Sequence, residues 1–466
     1  MTEHSVASPK DTAIALKVLS QRLTRQLETS MHACAHCGLC NDACHYYVAL
    51  QEPEMVPTYK ADRLRHVWQR RYDWLGQIWP WYVGARDLDE EVLRELWDTA
   101  WGACTMCGRC VFNCPFGVDT RLIVGTARAM LGAIGRVPKG LKDTVDIHLQ
   151  TKNNMGIDDE DFIETIEWLD EQLCDELQVE GPVIPLDKQG ARVIYLVNPR
   201  EVKFYPLSLM AAAKVMYVAG EDWTMSTDYW DVTNYALFSC DDDAARQIGR
   251  WAVEAATTLG VQEVWMSECG HGFNAFRWEA ENWLGQPFPF RVRGFVEPMS
   301  EYNRDGRIQR DPIQNDQPVT YHDPCNQGRK GGLLEEPRYI LSQTVTDFRE
   351  MLPNGRDAYC CGGGGGMLSM SEFSQRRIAA ASVKAEQVQA TGAKIIATSC
   401  HNCLDQLADV NRKYKLGAPA KNRCELVADA IIWPADTENT HTTQKKGVSD
   451  GRADLSGQWS HVVSQA

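Results

Sequence analysis

The chain has 466 residues, 17 of which are cysteine, and its formal net charge is −15. This length predicts two or three domains, and the acidic balance argues against nucleic acid as a partner. No signal peptide is evident and the longest apolar stretch, 206–220, is interrupted by Lys214, so we expect a reducing, cytoplasmic compartment, no disulfide framework and no direct membrane span.

The first 141 residues are predicted to form a helical, metal-binding part. Residues 1–30 carry apolar residues at helical spacing and predict an N-terminal helix. Within 31–141 the pattern C-x2-C-x2-C-x3-C, typical of bacterial ferredoxins, occurs twice. The two runs are Cys34, Cys37, Cys40 and Cys44, then Cys104, Cys107, Cys110 and Cys114.

The ligand sets follow from the ferredoxin pattern, in which the fourth cysteine of each run ligates the other cluster. We therefore predict two cubane 4Fe–4S clusters, one held by Cys34, Cys37, Cys40 and Cys114 and the other by Cys104, Cys107, Cys110 and Cys44. A pair of zinc sites is the alternative, because thiolates also bind zinc. Two matching runs of four favour clusters.

A long insertion between the two cysteine runs is rich in tryptophan. It contains Trp68, Trp74, Trp79 and Trp81, and Trp97 and Trp101 follow. One interpretation is core packing between helices. The other is a docking face for a membrane or a partner subunit, because tryptophan favours half-hydrated interfaces and Arg63, Arg65, Arg70 and Arg71 lie beside it.

Residues 142–190 contain a strongly acidic segment of helical pattern, which we interpret as a solvated helical linker. From residue 191 onward, short apolar runs alternate with helical patterns and predict an α/β fold. The strings SECGHG (267–272), YHDPC (321–325) and TSCHNC (398–403) each follow a predicted strand. Ligands bind at the carboxyl ends of strands in such sheets, so these strings are expected to form a site.

The most informative motif is an array of five cysteines with two adjacent members. It comprises Cys325, Cys360, Cys361, Cys400 and Cys403. Five glycines follow the adjacent pair, which removes side chains where backbone must approach another group closely. More than four converging thiolates predict an unusual iron–sulfur cluster and a place for sulfur chemistry.

The α/β part reads as a duplication in which one copy is degenerate. Cys269 aligns with Cys400 and Gly272 with Cys403, whereas Cys240 is only a weak counterpart of the adjacent pair and no cysteine answers Cys325. We therefore predict a degenerate repeat over 191–300, a complete repeat over 301–435 and one special cluster. Residues 436–466 are polar and nonperiodic and are predicted to be disordered.

Together, the five-cysteine array behind a two-cluster ferredoxin part resembles the catalytic subunits of the heterodisulfide reductase superfamily. The strings 218–226, 267–272, 321–329 and 359–366 are most similar to the DsrK-type iron–sulfur subunits of membrane complexes linked to dissimilatory sulfite reductase. The resemblance implies a helical ferredoxin-like domain fused to a duplicated CCG-type α/β domain, an α+β and α/β fold. It also implies one noncubane 4Fe–4S cluster held by the five cysteines.

The same resemblance implies a substrate and partners. The substrate would be a DsrC-like small protein whose disulfide or trisulfide is reduced or formed, in dissimilatory sulfur metabolism. Electrons would be exchanged with a haem-containing membrane subunit linked to quinone, which would attach the chain peripherally to the inner membrane. The sequence does not give the direction of electron flow.

Proton donors are expected near the five cysteines, because sulfur exchange releases thiolates. The candidates are His271, His322 and His401, with Glu268 orienting His271, and a structural hydrogen-bonding role is the alternative for each histidine. Arg329 and Lys330 closely follow Cys325 and would favour an incoming thiolate or acidic tail, and solvated surface charge is the alternative for both. A second class of function is a pure electron-transfer subunit for a flavin-dependent 2-hydroxy acid or glycerol-3-phosphate dehydrogenase, and a structural iron–sulfur scaffold is a third.

Overall fold

The computed structural model describes residues 7–433, so the predicted disordered tail lies outside the described residues. The first part of the chain is helical. Its helices are α1 (Pro9–Gln21), α2 (Arg25–His32), α3 (His45–Leu50), α4 (Pro57–Tyr72), α5 (Trp74–Ile78), α6 (Pro80–Val83), α7 (Glu90–Gly102), α8 (Arg109–Phe112), α9 (Thr120–Ala133), α10 (Lys139–Thr151) and α11 (Asp159–Leu177).

The segment predicted as one N-terminal helix contains two. Ser8 begins α1 with a capping box that includes Asp11, and α1 ends at Gln21. The Thr24 hydroxyl then accepts the Leu27 N–H at 3.2 Å and starts α2. Residues that can cap a helix N-terminus favour such a restart even where the apolar spacing continues.

The acidic segment also differs from its prediction. Helix α11 is amphipathic, and it buries Phe162, Ile166, Leu169 and Leu173. Because burial of such side chains stabilises a helix against its neighbours, α11 is a packed element with a charged outer face. It is not a solvated linker.

Two parallel four-stranded sheets follow, and they have the same topology. The first contains β1 (Val193–Leu196), β2 (Trp223–Thr224), β3 (Glu263–Met266) and β4 (Arg291–Gly294), and the second contains β5 (Val319–His322), β6 (Phe348–Arg349), β7 (Ile395–Thr398) and β8 (Ala420–Asn422). Their strand orders are β2-β1-β3-β4 and β6-β5-β7-β8. The equal order agrees with a duplicated α/β unit, and the predicted mixture of helical and α/β parts is confirmed.

Helices surround both sheets. Those of the first repeat are α12 (Pro199–Lys203), α13 (Pro206–Val218), α14 (Ala236–Ser239), α15 (Asp242–Leu259), α16 (Gly270–Asn274), α17 (Ala280–Leu284) and α18 (Val296–Arg304). Those of the second are α19 (Glu335–Ser342), α20 (Ser374–Ala380), α21 (Ser382–Thr391), α22 (His401–Tyr414) and α23 (Arg423–Ala430). Helices α20 and α21 are separated by the single residue Ala381.

The helical part and the second repeat meet closely at glycines. A Cβ on Gly365 would lie 2.7 Å from the backbone carbonyl carbon of Thr105, and one on Gly140 would overlap the carbonyl oxygen of Ser369. Real side chains do not fit at such distances, so this contact is made backbone to backbone.

The tryptophans of the insertion divide between the two interpretations. Trp68 and Trp101 are buried in the helical core, whereas Trp74, Trp79 and Trp81 are 67%, 54% and 80% exposed. The exposed three lie on α5 and α6 or between them, and these two helices pack on α4 and on each other. Within residues 7–433, no helix is both long enough and apolar enough to cross a bilayer.

Candidate iron–sulfur site

The five cysteines of the second repeat converge at the carboxyl ends of β5 and β7. Cys325 follows β5, Cys400 precedes the first residue of α22, and Cys403 lies on the first turn of that helix. The adjacent pair comes from the loop before the glycine run, and Sγ of Cys361 lies 3.4 Å from Sγ of Cys403. Cys360 belongs to the same buried cluster as Cys361, and Cys325 packs against that cluster.

Backbone N–H groups point at these sulfurs. Gly362 donates to Sγ of Cys360 and Gly363 to Sγ of Cys361, both at 3.4 Å. A Cβ on Gly363 would lie 2.9 Å from the Asn402 carbonyl oxygen. The glycines therefore allow the loop to lie flat against α22 while its amides face the thiols, and hydrogen bonds to sulfur are one means by which proteins set cluster potentials.

The hydrogen bonds change the acidity of individual thiols. Those from Cys360 and Cys403 lower the pKa of Cys361 well below its usual value, against the opposing effect of burial. The hydrogen bond from Cys403 likewise lowers the pKa of Cys400 to about 7. Hydrogen bonds with neighbouring thiols, and burial after them, raise the pKa of Cys325 and of Cys403. Thiolates are the metal-binding form of cysteine, and Cys361 and Cys400 are the thiols of the array that this environment favours in that form.

One of the two predicted cubane sites adjoins this array. A cavity is lined by Cys44, Cys104, Cys107 and Cys110, the set that the ferredoxin pattern assigns to one cluster. Cys107 packs against the buried cluster that contains Cys360, Cys361, Cys400 and Cys403, so this site adjoins the five-cysteine array. The N–H of Met106 donates to Sγ of Cys104 at 3.4 Å.

The second predicted cubane site lies farther toward the surface. Its cavity is lined by Cys34, Cys37, Cys40 and Cys114, together with Cys110. Cys37 is exposed, and Sγ of Cys40 lies 3.3 Å from the Thr58 hydroxyl. No disulfide forms within the described residues. Thirteen free thiols gather at three neighbouring sites, in sets that fit iron–sulfur clusters. The individual ligands stay predictions.

His322 is the histidine best placed beside the array. Its ring lies with Sγ of Cys361 and Sγ of Cys403, all three ligand atoms being within 4.8 Å of one another. Neither ring nitrogen has a hydrogen-bond partner in the described structure, and burial holds the pKa of His322 well below its ordinary value. The ring is therefore neutral and free to hydrogen-bond a group bound in the site.

His271 lies in the first repeat, across from the array. Its Nδ1 is 3.4 Å from Sγ of Cys269 and 3.4 Å from Nδ2 of Asn402, while its Nε2 has no partner among the described residues. Burial, and secondarily Arg200, lowers the pKa of His271 to about 3. A neutral ring whose Nδ1 accepts from Asn402 carries its proton on Nε2.

His401 and Glu268 each form an ion pair or hydrogen bond that links the two repeats. Nε2 of His401 lies 3.1 Å from Oε1 of Glu201, and burial opposes its charged form but is outweighed by Glu201, so the pKa of His401 is raised. Glu268 forms an ion pair with Arg423 and accepts the N–H of Cys424 at 3.4 Å. The expectation that Glu268 orients His271 is therefore not met; Cys269 and Asn402 hold that ring.

Two basic residues, Arg329 and Lys384, are buried beside the cysteine array, which the sequence does not predict. Arg329 is buried, and it donates to the carbonyl oxygens of Arg356, Cys107 and Ala358, so it is not open to an incoming thiolate. Lys384 is buried near the array, and burial lowers its pKa to about 8 against the opposing charges of Cys361 and Cys360. No motif marks Lys384, because it lies within an ordinary helical pattern away from the cysteine strings.

Comparison with known families agrees with this arrangement. Residues 30–118 match the 4Fe-4S dicluster domain, and residues 319–408 match the cysteine-rich domain called CCG. The chain is thus an iron–sulfur protein with a dicluster domain ahead of a CCG domain.

Curated relatives match most of the length of this chain. An Hdr-like menaquinol oxidoreductase iron-sulfur subunit 2 of Archaeoglobus fulgidus is 28% identical over 90% of this chain and 83% of its own length. One chain of the dihydromethanophenazine:CoB–CoM heterodisulfide reductase of Methanosarcina mazei is 26% identical over 88% of this chain and 97% of its own. A probable membrane-anchored ferredoxin of Chromohalobacter salexigens is 26% identical over 74% of this chain and 50% of its own length. The two domains and these relatives support a place for the chain among the HdrD-like CCG-domain proteins, and they support an iron–sulfur oxidoreductase subunit.

Proposed function

We propose that this chain breaks or forms a sulfur–sulfur bond at the five-cysteine array and exchanges the electrons through its two cubane sites. The observation that carries the proposal is the packing of Cys107 against the buried cluster that contains Cys360 and Cys361, because it places a predicted cubane site beside an array with more thiols than a cubane needs. A noncubane 4Fe–4S cluster held by Cys325, Cys360, Cys361, Cys400 and Cys403 would supply one-electron chemistry at sulfur.

The chain's own residues supply the remaining requirements. Cleavage of one S–S bond consumes two electrons and two protons and leaves two thiols. Cys325 alone of the five retains partial exposure, so a substrate sulfur approaches on its side. His322, with both ring nitrogens unpartnered in the described structure beside Cys361 and Cys403, is the group that hydrogen-bonds the leaving sulfur, and His271 acts from the opposite repeat.

The proposed electron path runs from the array through the Cys44 and Cys104 site to the site at Cys37. The exposure of Cys37 favours that outer site as the place where a partner supplies or accepts electrons. A haem-containing membrane subunit is the proposed partner and a DsrC-like small protein the proposed substrate, which gives a cytoplasmic location with peripheral attachment to the membrane. The uncharged, exposed segment around Trp74, Trp79 and Trp81 is the proposed contact with that membrane subunit.

Low-temperature EPR of the anaerobically purified, oxidised protein tests the proposal. We expect a paramagnetic species that forms only with a thiol substrate and is lost in Cys361→Ser, while both cubanes stay reducible. Signals of reduced cubanes alone, indifferent to any thiol, would show that the chain is an electron-transfer subunit whose catalytic partner lies elsewhere.

A further inference from the structure

The buried cations of this chain fall into two groups. Ten lysine and arginine side chains are buried in the described structure. Five of them lie within an ion pair with a carboxylate, as is usual for a charge removed from water. These are Arg65, Arg136, Arg293, Arg377 and Arg423.

The other five have no carboxylate partner among residues 7–433. They are Lys60, Arg109, Arg128, Arg329 and Lys384. All five lie around the five-cysteine array and the neighbouring cubane site, which is lined by Cys44, Cys104, Cys107 and Cys110. The division between paired and unpaired cations therefore follows the position of the predicted clusters.

Three of the five are arginines whose hydrogen bonds in the described structure all go to carbonyl oxygens, and Arg109 and Arg128 also lie over the rings of Tyr359 and Trp101. Arg128 donates to Cys104 and Gly365, each at 2.8 Å, and Arg329 donates to Cys107 at 2.9 Å. Arg109 donates to Asp42 at 2.9 Å and to Asp357 at 2.7 Å, in both cases at the backbone oxygen. Carbonyls satisfy the guanidinium donors, but they do not cancel its charge.

The two lysines are placed against sulfur. Nζ of Lys60 lies 3.5 Å from Sγ of Cys44 and donates to the Ala103 carbonyl. Nζ of Lys384 has one polar contact in the described structure, 3.3 Å from Sδ of Met351. Asp323 is the carboxylate whose charge acts on the pKa of Lys384, and it is itself paired with Arg338 at 2.8 Å. A buried ammonium with a thioether as its only polar neighbour lacks a counter-charge.

An uncompensated buried charge is strongly destabilising. Five such charges at one place require a negative group between them. A thiolate-ligated iron–sulfur cluster carries net negative charge, because the thiolates outweigh the positive core. We propose that Lys60, Arg109, Arg128, Arg329 and Lys384 are the built-in counter-charges of the clusters, and that Lys384 is the positioning residue that sets the reduction potential of the special cluster.

The proposal predicts the direction in which the reduction potential changes. A nearby positive charge stabilises the more negative, reduced form of a cluster and so raises its potential. Replacing Lys384 by a neutral side chain should lower the potential of the special cluster and leave the outer cubane, at Cys34, unchanged. The inference rests on the cluster sites of the proposed function but not on its thiol chemistry.

An EPR-monitored redox titration of the holoprotein tests it. Lys384→Met is expected to shift the special cluster to a lower potential, with the outer cubane of the same sample as an internal reference. Lys384→Arg restores charge and should restore the potential. Lys394→Met, an exposed lysine at the opposite end of β7, is the matched control and should shift nothing.

The iron content of the two variants also tests the role of Lys384. If Lys384→Met loses the iron of the special site alone and Lys384→Arg retains it, charge compensation is supported. If both variants lose that iron, or if the potential is unchanged in Lys384→Met, the assignment is overturned. Because these readouts need no thiol substrate, a protein inactive toward thiols could still show the shift, which separates this inference from the proposed function.

Discussion

The backbone N–H of Gly270 donates to Sγ of Cys400 at 3.4 Å. Gly270 belongs to the first repeat and Cys400 to the second, and in return the N–H of His401 donates to the carbonyl oxygen of Glu268 at 3.0 Å. The repeat that lacks the cysteine array therefore forms one wall of the site. It also places Cys269 and Cys400 at equivalent positions, each directly before the helix that follows β3 or β7.

Equivalent position does not make the two cysteines equivalent ligands. We expect Cys400→Ala to lose the special cluster, about four iron atoms per chain, and Cys269→Ala to keep the full iron content. Iron and acid-labile sulfide analysis of the anaerobic proteins measures this. Equal losses in both variants would mean that the first repeat also holds metal.

Substitution of His322 should slow turnover without loss of iron. His322→Gln keeps a hydrogen-bonding side chain of similar size but removes the proton-transferring ring, and positioned acid–base groups contribute about 100-fold or more to rates. We expect a drop of about that size together with a changed pH profile. His401→Gln, whose ring is held by Glu201, is the comparison and should cost less activity. A pH profile unchanged in His322→Gln would contradict a proton role.

The pair of His401 and Glu201 predicts a pH dependence of stability. The folded pKa of His401 is raised above its usual 6.5, so its stabilising contribution is complete below about pH 6.5 and is lost as the pH rises through the folded value. His401→Gln should be less stable than the unmodified chain by about 2 kcal/mol at about pH 6 and should lose this part of the pH dependence. Thermal unfolding between about pH 6 and 9 measures it; parallel curves for the two proteins would refute it.

The exposed tryptophans should govern membrane attachment. Trp79→Glu combined with Trp81→Glu places charge on a segment that has none between residues 74 and 84, and we expect the chain to move from the membrane fraction to the soluble fraction of its native host. Iron content and cluster spectra should stay unchanged. Trp278→Glu alters an exposed tryptophan elsewhere, 47% accessible, and should leave attachment intact.

Removal of iron should destabilise the whole fold. Chelation under reducing conditions leaves the five carboxylate-free cations without a counter-charge, and it also removes the metal–ligand bonds that cross-link distant segments within each part. We expect a lower midpoint of thermal unfolding, measured by calorimetry. A midpoint that is the same with and without iron would show that packing alone holds these charges.

Much of this organisation follows from local sequence signals. The apolar runs at 193–196, 263–266 and 395–398 are strands as predicted, since β-branched and apolar runs bounded by turns leave few alternatives. The cysteine spacing places thirteen thiols into three groups because ligand geometry is encoded in short motifs. Those features depend on neighbours in sequence.

Features that depend on distant partners were not predictable. Arg329 reads as a surface charge beside Cys325, and only the fold brings its guanidinium to the Cys107 carbonyl. Glu268 stands three residues before His271, yet its partner Arg423 comes from the far end of the second repeat. The prediction of a solvated linker was wrong for the same reason, because the apolar stripe of α11 acquires meaning only when a neighbour covers it.

The glycines that join the helical part to the second repeat have a consequence for timing. At Gly365 and Gly140 the two parts touch backbone to backbone, and Arg128 ties the carbonyls of Cys104 and Gly365 together. A contact without side chains leaves no layer that could slide, so neither part can rock against the other without breaking it. Electrons moving between the array and its neighbouring cubane site thus cross a gap whose width was set when the chain folded, and they do not wait for a domain to swing.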